Sequence, residues 1–530
     1  MVKKSSRSFA GIAGIVALAT LISKVFGLVR EQLVAAAFGI GPIVNAYAYA
    51  YVVPGFLLIL LGGINGPFHS ALVSVLAKTE RSKAAPLVET VTTLVSVILL
   101  LVSVFLLIFA PIFIDLLAPG LSPSVREMAI QQLRIMSPLA LLGGLIGIGF
   151  GTLNAADQYW LPSISPLFSS VAIVLGVIGL IWQLGEQINA PEYLQLGSII
   201  LAGGTVVGAI LQWLAQLIAQ SRSGMGKFRL SFDWRIPGVR DVLKVMIPAT
   251  LSSGMLHINV YTDLFFASYL EGAAAAMRYA NFIVLTPLGI ISNMILVPLL
   301  PKLSRLSAPE SREELKLRIR QGLILTALTM LPLSAIFVAL ALPIVQLVYQ
   351  RYAFQADASL LVAPVLTVYG LGMFFYLGRD VLVRVFYALG DGETPFRISL
   401  INIVLNAVLN FFLIKVFGIP GLVLATVGVN IFSMILFLLI LDRRLQGLPL
   451  KSWLATIVAL FGATFVAGSG SWFCNWGLQS LWGDQGWFIL LLNITLSTSV
   501  AVVLFGAIAL QLKLPELEIL LRQLKQKFKL

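Results

Sequence analysis

The sequence predicts an all-α polytopic membrane protein, with about fourteen transmembrane helices in two pseudo-symmetric six-helix lobes and two further C-terminal helices. Three observations lead there. Of 530 residues, 59% are hydrophobic and 11% charged, where a soluble chain carries about 25% charged residues. Mean hydropathy is +0.97. Apolar stretches of roughly 20 residues recur along the chain, each able to cross a ~30 Å hydrocarbon core as a helix. They are continuous, whereas barrel strands would alternate over about ten residues.

The first expected helix, 9–38, starts near Phe9 without a small-residue cleavage site after it, and is read as a retained helix rather than a signal peptide. The second, 43–77, contains "NAYAYAYVVPG". Tyr47, Tyr49 and Tyr51 alternate with alanine as in a strand, but the apolar flanks require a helix with its rings at the outer interface. Lys78, Arg81 and Lys83 lie just before the third, 85–117, and "APGLSPS" separates that from the fourth, 127–154. The fifth and sixth, 160–183 and 195–220, lead into the basic loop 221–244. The seventh and eighth, 240–270 and 273–303, precede a second basic loop, 302–320. The ninth and tenth, 317–348 and 356–389, end at "LGDGETP"; "FGIPG" divides the eleventh, 395–417, from the twelfth, 420–442. The last two are 452–474 and 486–512.

The expected domains are an N-terminal lobe over 1–221, a basic cytoplasmic loop over 222–244, a C-terminal lobe over 245–443, helices thirteen and fourteen over 444–512, and a tail over 513–530. The lobes read as a diverged duplication. "REQLVAAAF" in the first helix matches "TDLFFASYL" in the seventh, Pro54 and Pro287 fall within the following helices, and each of those helices ends in a basic loop. Six helices per lobe imply parallel repeats related by an axis along the membrane normal. The tail has leucines at helical spacing between Lys and Arg, the pattern of a helix lying on an anionic inner surface.

The net charge of +13 follows from the positive-inside rule rather than from nucleic acid. With both termini cytoplasmic, about 27 of the 36 Lys and Arg fall in inside loops and tails; only Arg126, Arg351 and Lys415 fall outside. A single cysteine, Cys474, excludes an intramolecular disulfide, and two histidines, His69 and His257, leave little for histidine-based metal chemistry.

Six basic residues remain inside the apolar stretches: Lys24, Arg30, Arg134, Arg278, Arg379 and Arg384. A charge at the bilayer centre costs about 2.5–3.5 kcal/mol on insertion scales. Arg134, Arg379 and Arg384 lie toward helix ends, where snorkelling reaches an interface. In the first helix, Lys24 and Glu31 share one face and Ser23 and Arg30 another, roughly 120° apart. That sector suits a wet cavity, with Gly27 allowing a bend or a close substrate approach. Arg278 supplies a charge from the other lobe. A cavity with Lys and Arg from both lobes suits an anion, phosphate above all. Pro54-Gly55, Gly62-Gly63 and Gly66-Pro67 are expected breaks or hinges, with Pro287 in the other lobe.

Two motifs carry a resemblance to a known family. "SKVFGLVRE" at 23–31, followed by Ala37-Phe38-Gly39, and "FYALGDGETP" at 386–395 are similar to signatures of the MurJ (MviN) lipid II flippases, in the multidrug/oligosaccharidyl-lipid/polysaccharide exporter superfamily. The resemblance covers essentially the whole chain. It implies alternating-access transfer of an undecaprenyl-pyrophosphate-linked peptidoglycan precursor, lipid II, from the inner to the outer leaflet of the bacterial plasma membrane. Such a protein serves peptidoglycan biosynthesis, cell-wall biogenesis and cell shape. It also implies a cationic cavity between two lobes and a lipid-tail groove beside helices thirteen and fourteen. The substrate-binding candidates are Ser23, Lys24, Arg30, Glu31, Asn45, Arg278 and Asn281. The sequence departs from the family at Asn45, which stands for an aspartate, along Leu58–Leu60, and at Phe282, where an arginine is expected. Arg278 lies one turn before Phe282 and restores that charge. A cation site is implied at Asp263, Asn406, Asn410 and Thr426, whose oxygens suit sodium; the same polar groups suit bonding between helices.

No cofactor is expected, with sodium or the membrane potential as the driving force. Expected partners are lipid II, membrane lipids and cell-wall synthesis proteins. The alternatives are an exporter of another lipid-linked oligosaccharide or of a small molecule in the same superfamily, and an integral membrane enzyme. A drug exporter would carry an acid-dominated cavity, and an enzyme would need a catalytic acid on a sizeable outer loop. Asp391, Glu393 and Thr394-Pro395 read as a capping turn rather than a catalytic group.

Overall fold

The computed structural model describes residues 9–63, 66–255, 258–304, 312–483 and 486–517. Expectations falling on His257, on part of the 302–320 loop and on most of the 513–530 tail lie outside the described residues. Among the described residues the chain is helical, apart from one isolated bridge between Arg351 and Phe354. It packs into two compact units, Met1–Ala275 with Arg351–Phe354, and Ala276–Gln350 with Gln355–Leu530.

The first unit contains α1 (Phe9–Phe38), α2 (Pro42–Gly62), α3 (Pro67–Leu76), α4 (Arg81–Ile108), α5 (Ala110–Leu117), α6 (Pro123–Met136) and α7 (Leu139–Ala155). It continues with α8 (Trp160–Ile164), α9 (Leu167–Leu184), α10 (Leu194–Arg222), α11 (Val239–Met255) and α12 (Ile258–Ala267). Several helices begin with proline, whose missing N–H would be unpaired there anyway. The C-terminus of α1 solves the problem of its orphan carbonyls with three different chain segments. The Ala35 carbonyl accepts from Gly39 N–H at 2.8 Å, Ala36 from Ala353 N–H at 3.0 Å, and Phe38 from Gly41 N–H at 3.1 Å. The Ala37 carbonyl accepts from the Asn189 amide at 2.8 Å. Gly39 has φ +57°, and a Cβ there would lie 2.7 Å from the Ala353 carbonyl oxygen, so both backbone shape and space require glycine.

The apolar core of this unit gathers Leu61, Phe68, Leu72, Leu87, Val91, Ile148 and Val242 from α2, α3, α4, α7 and α11. Close packing there depends on a glycine ridge. Gly143, Gly147 and Gly151 lie one turn apart on α7, and an added Cβ would meet backbone or Cβ atoms of α2 and α3 at 2.9, 1.9 and 2.8 Å. Such small-residue ridges let membrane helices approach backbone to backbone. The interruption they face lies after Gly62: Gly63 is extended, and the chain resumes helix at Pro67. α2 itself runs unbroken through Pro54 and Gly55, α1 through Gly27, and α13 (Ala273–Ser304) through Pro287.

The second unit contains α13 from Ala276, α14 (Arg312–Ala339), α15 (Ala341–Tyr349), α16 (Ala356–Ala388), α17 (Glu393–Phe417), α18 (Ile419–Arg444), α19 (Leu450–Trp482) and α20 (Trp487–Gln511). α16 packs on α14 and α18, and α19 packs on α14 and α20. Phe374 on α16 meets Phe461 on α19 edge to face at 5.6 Å. The α19–α20 turn is fastened by Asn493, which accepts the Trp482 indole N–H at 2.7 Å and donates to the Gly483 carbonyl at 3.2 Å.

Twelve helical stretches among the described residues are long and apolar enough to cross a membrane. Their outward faces carry large apolar side chains such as Leu101, Leu175 and Phe465. In water such faces would be costly; in lipid they need no partner. The chain is a multi-pass membrane protein. Of the fourteen expected spans, the first and seventh are the two outside that set. α1 is long enough at about 45 Å, but it carries Lys24, Arg30 and Glu31. The seventh is described in two pieces, α11 and α12.

Candidate substrate and cation sites

The charged stretch of α1 is organised by one ion pair. Arg30 donates to Glu31 Oε1 through Nε at 3.1 Å and Nη2 at 2.7 Å. Glu31 is 2% exposed and Arg30 24%. A buried carboxylate is tolerated in an apolar setting only when compensated, and the guanidinium keeps a partly open edge for a further acceptor. Lys24 lies two turns earlier and is exposed, with Ser23 and Gly27 half-buried on the same helix.

On α2, Asn45 is buried and its Oδ1 accepts no hydrogen bond among the described residues; the Tyr49 hydroxyl, one turn on, is likewise buried and unpaired. Tyr47 bonds Thr205 on α10 at 2.8 Å and stacks on Tyr51 with centroids 5.4 Å apart. Gln132 of α6 donates to the Ile43 and Ser198 carbonyls, both at 3.4 Å, tying α6 to α2 and α10. Gly55 faces the Tyr51 ring so closely that a Cβ would come within 2.3 Å of it. Pro67 starts α3.

In the second unit, α13 carries Arg278 and Asn281 on half-buried positions, and Phe282 beside them. The neighbouring Tyr279 carbonyl accepts from the Tyr349 hydroxyl at 3.2 Å. α17 and α18 meet along a polar ladder. Asn402, Asn406 and Asn410 recur every four residues on α17, and all are buried. Asn410 Nδ2 donates to Asn406 Oδ1 at 3.1 Å, and Asn406 Nδ2 lies 3.4 Å from the Thr426 hydroxyl. The Ser433 hydroxyl donates to Asn402 Oδ1 at 2.9 Å. Asn430 donates to the Thr426 carbonyl at 2.7 Å and accepts from Arg379 Nη1 at 3.3 Å.

The structure therefore joins Arg30 to Glu31, and Asn406 to Asn410 and Thr426. Asp263 is buried on α12 of the first unit. Among the described residues no group of three His, Cys, Asp or Glu stands ready for a transition metal. Sequence reading missed Asn402, Asn430 and Ser433, the glycine ridge of α7, and Asp380 on α16, an acid flanked by Arg379 and Arg384. Repeats of small or polar residues at four-residue spacing were the available signal.

The model of the lipid II flippase MurJ family matches residues 34–495. The chain belongs to that family. A probable lipid II flippase MurJ of Synechocystis sp. is 62% identical over 526 residues, covering 99% of both chains. A solved lipid II flippase MurJ in an inward closed conformation has TM-score 0.74 at 21% identity, over 94% of this chain and 99% of that one. An inward-facing multidrug resistance MATE transporter of the MOP superfamily has TM-score 0.54 at 17% identity, over 82% and 98%. These structural likenesses carry the fold.

Proposed function

We propose that the chain flips lipid II, the undecaprenyl-pyrophosphate-linked peptidoglycan precursor, from the inner to the outer leaflet of the bacterial plasma membrane. The observation that carries this reading is the 62% identity, across 99% of both chains, with the Synechocystis probable flippase. In this reading both termini are cytoplasmic, in keeping with the Lys and Arg distribution. The family is one of transporters, and the work is binding and release rather than bond chemistry.

Lys24 and Arg30 are the cations that the first unit offers to a pyrophosphate, and Arg278 is the one that the second unit offers. Arg30 gives directional N–H donors and Lys24 a mobile point charge. Glu31 holds the Arg30 guanidinium in place and offsets its charge when no substrate is bound. Ser23, Asn45 and Asn281 contribute polar contacts, the unpaired Asn45 Oδ1 being available to a donor of the head group. Gly27, Pro54, Gly55 and Pro67 in the first unit and Pro287 in the second are the hinge positions of this reading. An apolar groove of about 350 Å³ in the second unit, lined by Leu328, Pro332, Ile336, Val502 and Phe505, suits a polyprenyl chain. In the second unit Asn406, Asn410 and Thr426 would hold a sodium ion through oxygen donors, and in the first Asp263 is a separate carboxylate candidate. The sodium gradient, or the membrane potential, would reset the transporter. Cell-wall synthesis proteins are the expected neighbours.

The test is complementation of a flippase-depleted bacterium, read by the amount of lipid II in the outer leaflet. The native chain restores outer-leaflet lipid II and growth, while Arg30→Ala and Lys24→Ala do not. Growth rescued without outer-leaflet lipid II would mean another lipid-linked oligosaccharide is carried, and unchanged function in both variants would remove the cationic site.

A further inference from the structure

The segment between α10 and α11 has a period-two pattern that the transport reading does not use. Phe228, Leu230, Phe232 and Trp234 alternate with Lys227, Arg229, Ser231 and Asp233. Lys227, Arg229 and Ser231 are fastened to α4, Arg229 through its carbonyl, which accepts from the Thr93 hydroxyl at 3.3 Å. Lys227 N–H donates to Glu89 Oε1 at 2.9 Å, Ser231 N–H donates to the Thr93 hydroxyl at 3.0 Å, and the Ser231 and Thr90 hydroxyls are 2.7 Å apart. The even positions are left outward: Phe228 is 53% exposed, Leu230 70%, Phe232 59% and Trp234 68%. Four large apolar side chains held out by a pinned backbone form a surface built for a partner.

Its position along the helices identifies that partner. Glu89 is the last charged side chain of α4; from Thr90 to Ile108 the helix has none. Arg222, in the last turn, is the only charged side chain of α10. The segment is thus seated where both helices change from charged to apolar, which is the depth of a membrane interface. Phe228 meets Trp213 of α10 edge to face at 5.5 Å, and the exposed neighbours of Trp213, Leu211 and Leu214, face the surroundings of the same span. The apolar stripe therefore continues a lipid-facing helix surface. Its flanks are basic, with Lys227, Arg229 and Arg235 against Asp233.

We propose that residues 227–235 form an interfacial strap that inserts Phe228, Leu230, Phe232 and Trp234 into the leaflet at which α10 ends, and that binds anionic phospholipid head groups through Lys227, Arg229 and Arg235. Aromatic rings are at home at this depth, and each nearby cation adds attraction to an anionic surface.

The test uses the full chain with Cys474→Ser and Leu230→Cys, the new thiol carrying an environment-sensitive fluorophore, reconstituted in phosphatidylcholine vesicles with phosphatidylglycerol. A second label at Leu101→Cys, on the apolar stretch of α4, calibrates depth. The strap label should be quenched more by a lipid nitroxide near the glycerol end of the acyl chain than by one near the methyl end, and poorly by aqueous iodide. Removing phosphatidylglycerol, or introducing Arg229→Gln and Arg235→Gln, should raise iodide quenching, with the docked-to-free ratio falling about fivefold per cation. Free quenching by iodide without nitroxide quenching would place the stripe in water. Weak quenching by both would mean that protein covers it. Nitroxide quenching indifferent to phosphatidylglycerol would remove the anionic-lipid contact. Each of these three results overturns the proposal.

Discussion

Arg444, at the end of α18, donates a 2.6 Å hydrogen bond to Oδ2 of Asp391, the residue that also caps the start of α17. Asp391 Oδ1 accepts the Thr394 backbone N–H at 2.9 Å, and Oδ2 accepts the Thr394 hydroxyl at 2.8 Å. One carboxylate thus closes a turn, caps a helix and anchors the far end of the next one.

The Asp391 carboxyl titrates below its ordinary value. Burial raises it, but the Thr394 bonds and the Arg444 charge outweigh burial. A depressed folded-state value means the group adds stability above its unfolded value, near 3.9, and loses it as pH falls through the lower folded value. Asp391→Asn keeps an amide oxygen for the Thr394 N–H but removes the charge paired with Arg444, and should cost about 0.5–1 kcal/mol at neutral pH. It should also flatten the loss of thermal stability on acidification below about pH 4, measured on the detergent-solubilised protein.

Arg30→Ala leaves the buried Glu31 without its guanidinium partner and should destabilise the protein by about 3–5 kcal/mol. Arg30→Ala combined with Glu31→Ala should recover most of that stability. Lipid II transfer should stay absent in the double variant, because the cation is still missing. Thermal unfolding and the complementation assay, run on the same set, separate the two roles. Recovery of transfer in the double variant would assign Arg30 to structure alone.

Gly147→Ala should cost about 2 kcal/mol or more, because the new methyl would meet the Leu61 carbonyl oxygen, and backbone cannot step aside cheaply. Gly179→Ala meets nothing within 4 Å and should be neutral or slightly stabilising. Melting temperatures of the two variants give the comparison.

Asn402→Ala removes the acceptor of the Ser433 hydroxyl and should cost about 0.6–1.7 kcal/mol, the range for bonds between membrane helices. Sodium should raise the melting temperature of the native chain and of Asn402→Ala, but not of Asn406→Ala or Asn410→Ala. Equal sodium stabilisation in all four would dissociate the ladder from ion binding.

The apolar runs made the helices legible because lipid leaves the backbone no other way to pair its own polar groups. Helix interruptions were less legible. Proline at 54 leaves α2 intact, while the interruption falls after Gly62, facing a ridge of glycines on another helix; that choice depends on a neighbour the local sequence does not name. Arg30 and Glu31 are adjacent, and adjacent helical positions point about 100° apart. Only the length of the arginine side chain lets them meet. Asn406 and Asn410 were readable from their spacing, but Asn402 gains its meaning from Ser433 on the next helix.

The end of α1 depends on the amides of Asn189 and Ala353, made much later than the Ala37 and Ala36 carbonyls they satisfy. On the ribosome, the first unit therefore stays incomplete until the chain has been synthesised past residue 353. A product stopped before Arg351 would leave the membrane insertion machinery holding a helix end short of its last bond. For this chain, the order of synthesis and the order of completion are not the same.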